Sequence, residues 1–171
     1  SDACDLFAYD FSAEIRMTLG DTAKIELTVN NTDQNDFTCS FALHNYHRVR
    51  QLETTRVLGL TGRRYFDNFE NYAEKQQHDD LSFPGPVDRV YPDVESALVI
   101  DATPRIRLTH HNSPSVITWN PGSEAASSIS DIGAGNERYF VCVERGAVLG
   151  ESWHIPAGES RSAWMEFKQL I

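Results

Sequence analysis

The chain has 171 residues, a formal net charge of −10, a hydrophobic fraction of 40% and a charged fraction of 23%. These values fit one soluble globular domain able to bury a core without staples. The acidic balance argues against a nucleic-acid partner, which needs a basic footprint. No apolar run approaches the ~20 residues of a membrane helix. No signal peptide is readable, and a start at Ser1-Asp2 rather than Met suggests a trimmed or processed chain.

Residues 1–10 read as an N-terminal tail and residues 11–171 as one domain. From Phe11 the pattern has period two. Phe11, Ala13, Ile15, Met17 and Leu19 alternate with Ser12, Glu14, Arg16 and Thr18. A hairpin turn at Leu19-Gly20-Asp21-Thr22 leads to a second strand carrying Ile25, Leu27 and Val29. A third strand runs from 37 to about 44. Further strands are expected at 54–60, 96–100, 105–110, 115–119, 138–144 and 160–167. Residues 67–93 are polar and contain Pro84-Gly85-Pro86. They read as a long irregular loop, either a solvated connection or a functional segment. No stretch supports a helix longer than about ten residues by the 3.6-residue test. Many short strands with frequent turns give an all-β fold, an antiparallel sandwich.

There are three cysteines, Cys4, Cys39 and Cys142. An odd count without close spacing argues against a disulfide framework and against a zinc knuckle. Cys39 and Cys142 sit in apolar strands and read as small core residues. A reducing, cytoplasmic setting fits them.

Three positions carry possible chemistry. On the third strand Phe37, Cys39, Phe41 and Leu43 share one face, leaving Thr38, Ser40, Ala42 and His44 on the other. His44 therefore ends a small, polar face, followed by Asn45, Tyr46 and His47. Read alone, it fits a surface histidine at a strand end as well as a ligand-facing one. Glu144 closes the apolar run Phe140-Val141-Cys142-Val143, where partial desolvation would raise its pKa toward that of a useful base. The alternative is a strand simply leaving the core. Asp88 follows Gly85-Pro86-Val87, a turn able to aim its side chain, and Asp is also an ordinary turn residue. His44 and His47 fall on opposite strand faces, as do His110 and His111, so neither pair shares a metal. No metal and no organic cofactor is expected.

Five blocks together are more specific than any one of them. They are Phe41-Ala42-Leu43-His44-Asn45-Tyr46-His47-Arg48-Val49, Gly59-Leu60-Thr61-Gly62-Arg63-Arg64-Tyr65-Phe66-Asp67, Gly85-Pro86-Val87-Asp88-Arg89-Val90-Tyr91, Thr118-Trp119-Asn120-Pro121-Gly122 and Phe140-Val141-Cys142-Val143-Glu144. In order and spacing they resemble the aldose 1-epimerase-like (galactose mutarotase-like) family, and within it the hexose-6-phosphate mutarotase branch. The resemblance runs from about Phe11 to the C-terminus. It implies a galactose mutarotase-like supersandwich, incomplete at its N-terminus, that interconverts the α and β anomers of an aldose. Glu144 matches the general base for the C1 hydroxyl, and His44 the general acid for the ring oxygen. Asp88 matches a carboxylate that binds sugar hydroxyls. Arg89 and Tyr46, beside these residues in the same blocks, complete the candidate substrate-binding set. The implied ligand is a small sugar or sugar phosphate, with neither nucleic acid nor membrane as a partner.

Family members are longer at the N-terminus, where they carry further strands, another histidine and the arginines that hold the 6-phosphate. Nothing before Phe11 resembles that segment, and Arg48, Arg63, Arg64 and Arg89 do not map onto those arginines. The sheet edges left open would favour self-association or a completing partner. The alternative reading is a carbohydrate-binding or structural module that keeps the fold without catalysis.

Overall fold

The alternation is cleanest at the first hairpin, and there the chain pairs as expected. A computed structural model describes residues 7–171. In it β1 (Phe11–Leu19) and β2 (Ala23–Asn31) run antiparallel, Leu19 opposite Ala23 and Phe11 opposite Asn31. Short strands follow: β3 (Phe37–Cys39), β4 (Phe41–Leu43), β5 (Tyr46–Arg48) and β6 (Arg56–Leu58). Next come β7 (Arg64–Asp67), β8 (Ala73–Gln76), β9 (Val87–Tyr91) and β10 (Leu98–Asp101). The last are β11 (Arg105–His111), β12 (Ser115–Asn120), β13 (Phe140–Ala147), β14 (Trp153–Ile155) and β15 (Ser160–Leu170). The α-helix among the described residues is five residues long, Gly122–Ala126. None is long and apolar enough to cross a membrane.

The strands build an antiparallel sandwich. One sheet has the order β1-β2-β15-β11-β10-β6, the other β4-β13-β12-β9-β7-β8 with β5 also on β13, and β14 pairs with β3 apart from both. Between the two large sheets lies an apolar layer that includes Leu98, Ile100 and Leu108 from the first and Tyr91, Val116 and Val143 from the second. Each such side chain is all but removed from water, and burial contributes roughly 1.5–3 kcal/mol apiece. A second cluster, with Leu27, Leu43, Trp153 and Met165, closes the end near β3 and β14. The second sheet thus has one face committed to the core. Its other face, set by the period-two alternation, is free to carry a site.

Two sequence expectations are corrected here. The single strand over 37–44 divides at Ser40, because β3 pairs with β14 whereas β4 pairs with β13. Ser40 Oγ meets Ser152 Oγ at 2.7 Å at this switch. The stretch 67–93 is not an irregular loop, since it contains β8 and β9. β9 lies between β12 and β7 inside the second sheet. Val87 and Tyr91 face the core, whereas Val90 is buried on the other side, so a simple alternation does not mark this strand.

The edge strand β1 is exposed along its whole length. Its apolar row includes Met17 at 66% and Leu19 at 81% exposure. An apolar groove of about 320 Å³ beside it is lined by Phe7, Phe11, Ala13 and Phe41, among others.

Candidate active site

Strand register alone assembles the site. Leu43 pairs with Arg145 and Tyr46 with Cys142, so His44 and Asn45 stand opposite Glu144 and Val143. Across β12, Ile117 is opposite Glu144 and Trp119 opposite Cys142. On β9, Val90 faces Ile117 and Asp88 faces Trp119. Residues directly opposite in antiparallel strands share a face. His44, Glu144, Asp88, Trp119 and Ile117 therefore all project from the side turned away from the core. They line one cavity of about 410 Å³, whose wall also includes Asn68, Tyr72 and Leu149.

His44 Nε2 lies 3.4 Å from Glu144 Oε1. The two are unequally exposed, 48% of the His44 side chain against 4% of Glu144. Burial pushes the Glu144 carboxyl up to about 7, helped by the negative charge of Asp88. Desolvation also lowers His44 below the usual imidazole range. The signs agree physically, because a dry pocket penalises both the carboxylate and the imidazolium. Raising a carboxyl from 4.5 to about 7 means that ionising it in place costs about 3 kcal/mol. A raised folded-state pKa makes stability fall as pH rises from 4.5 to about 7, because the native state holds the extra proton in that window.

The local chain explains how His44 is aimed. The ladder between β4 and β5 is interrupted at His44 and Asn45. The Asn45 side chain fills the gap. With its amide oriented to suit its neighbours, the nitrogen donates to Val143 O at 3.0 Å and Leu43 O at 3.2 Å, and the oxygen accepts from His47 Nε2. His47 is buried on the opposite side, its ring against Phe167 of β15, and desolvation holds it down at about 4. His44 and His47 do not approach one ligand, as the strand periodicity predicts. Asn68 Nδ2 donates to Asp88 Oδ1 at 2.8 Å and fixes that carboxylate at the far wall.

The other two substrate-binding candidates are placed differently. Arg89 does not reach the cavity, which corrects the expectation that it joins Asp88 at the ligand. Adjacent strand residues point to opposite faces, and Arg89 turns inward. Its Nη1 donates to Gln77 Oε1 at 2.9 Å and its guanidinium lies over the Tyr65 ring at 4.6 Å. Asp88 is likewise held by a strand rather than by a turn. Tyr46 stands beside the site, its ring 5.0 Å from those of His44 and Phe140. It also lines a second cavity of about 430 Å³ with Asp131 and Asn136.

Arg145, next to Glu144 in sequence, is also turned to the core side. It donates to the carbonyls of Val94 and Ser96. Among the described residues no lysine or arginine lines the cavity, and His44 is the basic side chain that faces Glu144 there. Cys142 is fully buried, and it is opposite Tyr46 and Trp119 on the site face rather than in the layer between the sheets. Lining residues without an assigned role in the sequence include Asn68, Tyr72, Trp119 and Leu149. Tyr72 and Leu149 both adopt left-handed backbone, φ 59° and 55°. Bulky residues there are uncommon and concentrate at functional walls.

The two-sheet antiparallel sandwich is the fold of galactose mutarotase-like proteins. The solved structure of a provisionally titled mutarotase from Salmonella typhimurium superposes with a TM-score of 0.84 at 28% identity, over 95% of this chain and 54% of that one. A galactose mutarotase-like protein from Clostridium acetobutylicum shares the fold, with a TM-score of 0.70 at 11% identity, over 99% of this chain and 60% of that one. The aldose 1-epimerase family profile matches residues 1–168, and the chain belongs to that family. A curated relative from Salmonella typhimurium, provisionally named a glucose-6-phosphate 1-epimerase, is 35% identical over 140 residues. That match covers 80% of this chain and 46% of the relative. The chain thus spans about half the length of the relatives it matches.

Proposed function

We propose that this chain interconverts the α and β anomers of a hexose 6-phosphate by general acid–base catalysis, with His44 as acid and Glu144 as base. The observation that carries this reading is the placement of His44 Nε2 3.4 Å from a buried Glu144 on the free face of the sheet, across a cavity from Asp88. Glu144 takes the proton of the C1 hydroxyl as His44 protonates the ring oxygen, and the bond between C1 and that oxygen breaks. Rotation about C1–C2 and closure with the roles reversed yield the other anomer. Ring opening takes the pair from imidazolium and carboxylate to neutral imidazole and carboxylic acid. A dry pocket favours that direction, and closure restores the charged pair, so no net proton is consumed. Asp88, held by Asn68, accepts hydrogen bonds from sugar hydroxyls. Tyr46 and Trp119 offer apolar ring surface beside His44.

The 6-phosphate is supported by the names of the curated relatives, not by a cationic residue in the cavity. The free thiols of Cys39 and Cys142 fit a reducing cytoplasm. The test follows the anomers of glucose 6-phosphate by NMR after mixing. The chain accelerates equilibration, and His44→Ala lowers the rate roughly 10²–10⁴-fold. No acceleration over buffer would sink the enzymatic reading. A binding module without turnover is the second reading, favoured by the lack of a lysine or arginine among the cavity's described lining residues. Calorimetry showing sugar binding with no rate would select it.

Self-association through β1 is also expected, because its nine-residue edge, uncovered among the described residues, presents unpaired backbone groups at alternate positions beside an exposed apolar row. Sedimentation velocity should show a concentration-dependent dimer. Ile15→Lys with Met17→Lys should return it to monomer, whereas a wild-type chain that stays monomeric at high concentration removes the proposal.

A further inference from the structure

We infer that His44, Cys142 and Glu144 form a binding site for a borderline-soft divalent cation, Zn²⁺, which blocks the proton-transfer pair. The cation binding stands on geometry alone, and its inhibitory consequence rests on the function proposed above.

The three residues belong to one face and two neighbouring strands. Cys142 and Glu144 are two apart on β13, and His44 stands opposite Glu144. One ligand atom from each side chain lies within 4.8 Å of the other two. Around a tetrahedral zinc with bonds of about 2.0–2.3 Å, ligand atoms stand roughly 3.3–3.8 Å apart. The separation of His44 and Glu144, 3.4 Å, is already in that range. The other two separations, neither above 4.8 Å, need at most about 1–1.5 Å of contraction, within reach of side-chain rotation at the three residues.

The donor set selects the metal. Imidazole nitrogen, thiolate sulfur and carboxylate oxygen together suit Zn²⁺ and are poor for Mg²⁺ or Ca²⁺, which take oxygen alone. Charge balance supports the same choice. Among the described residues the cavity wall includes no lysine or arginine to repel a cation. A dication with one thiolate and one carboxylate is neutral overall, and binding releases one proton from the thiol and one from the carboxyl. The fourth position opens toward the cavity and leaves room for water or a sugar hydroxyl. With the Nε2 lone pair and the carboxylate committed to the metal, neither group exchanges a proton with substrate, so the cation inhibits.

The test uses Co²⁺ as a spectroscopic probe and Zn²⁺ as competitor on the full chain. One equivalent of Co²⁺ should give a thiolate-to-metal charge-transfer band in the near ultraviolet, and Zn²⁺ should displace it. Cys142→Ser should lose the band and bind at least about tenfold more weakly, and His44→Ala should weaken binding similarly. In the anomer assay Zn²⁺ inhibits the wild type and a chelator restores the rate. Measured against its own rate without added metal, Cys142→Ser needs at least about tenfold more Zn²⁺ for the same fractional inhibition. No band in the wild type overturns the site. So does a band that survives in Cys142→Ser, which would assign the metal to Cys4 or Cys39. A band without any enzymatic rate would sink the proposed function and leave the cation site standing.

Discussion

Glu144→Gln should lower the rate of anomer exchange roughly 10²–10⁴-fold while making the fold more stable at pH 8. The rate falls because Gln cannot take the C1 proton. Stability rises because the native protein holds at that pH a carboxylate whose side chain is only 4% exposed, faced by Asp88 across the cavity. Ionising it in place costs about 3 kcal/mol, and a neutral isostere removes much of that. Opposite changes in rate and in urea midpoint separate a base held at an energetic disadvantage from a residue that merely packs. The same carboxyl gives the pH profile its acid limb. Its pKa is raised to about 7, while His44, which must be protonated, is held below the usual imidazole range. The kcat/KM of the wild type should therefore peak below about pH 7 and decline above it as His44 loses its proton. On the far acid side it should fall about tenfold per unit as Glu144 is protonated. Asp88→Asn removes the like charge that helps raise Glu144, and the limb should move to lower pH. A limb unchanged in Asp88→Asn would break the electrostatic link between the two walls of the cavity. A Glu144→Gln chain with normal rate would remove Glu144 from the chemistry.

Much of this arrangement was legible in the sequence, and for a definite reason. The alternation from Phe37 to His44 placed Ala42 and His44 on a face of their own. That placement survived the break at Ser40 because Leu43 stays in the core and thus fixes the parity of its neighbours. The run ending at Glu144 indicated a desolvated carboxylate, and the structure leaves that residue 3% exposed. Asp88 was legible as a candidate but not as a strand residue, since buried residues on both faces of β9 erase the period-two signal. Arg89 was misplaced because adjacency in a block was allowed to stand for adjacency in space. Asn68 and Tyr72 had no local pattern at all. They reach the cavity through a 3₁₀ turn, Asn68–Glu70, and the left-handed backbone of Asn71 and Tyr72 just after β7, which shows only when the neighbouring strand is in place.

Gly146 is a sharper case of that limit, and Gly146→Ala should be among the most damaging small substitutions in the chain. In sequence it is an unremarked glycine two residues beyond Glu144. In the fold it stands opposite Ala42 where β4 crosses closest to β13. A Cβ built at this position would lie 2.3 Å from the carbonyl oxygen of Phe41 and 3.0 Å from Ala42 Cα. Both are backbone atoms, so no side chain can rotate away and β4 itself must move. His44 follows Ala42 by two residues, and displacement of β4 carries the imidazole away from Glu144. Overpacking of this kind typically costs 1–3 kcal/mol. A shift of about 1 Å at a reacting group lowers a rate roughly 10²-fold. Gly20→Ala, in the first hairpin turn with no atom within 4 Å of its added Cβ, should change neither quantity by comparison. Urea unfolding and the anomer assay on the two variants decide the matter. If Gly146→Ala retains wild-type rate and midpoint, the close approach of β4 to β13 is not what holds His44 against Glu144.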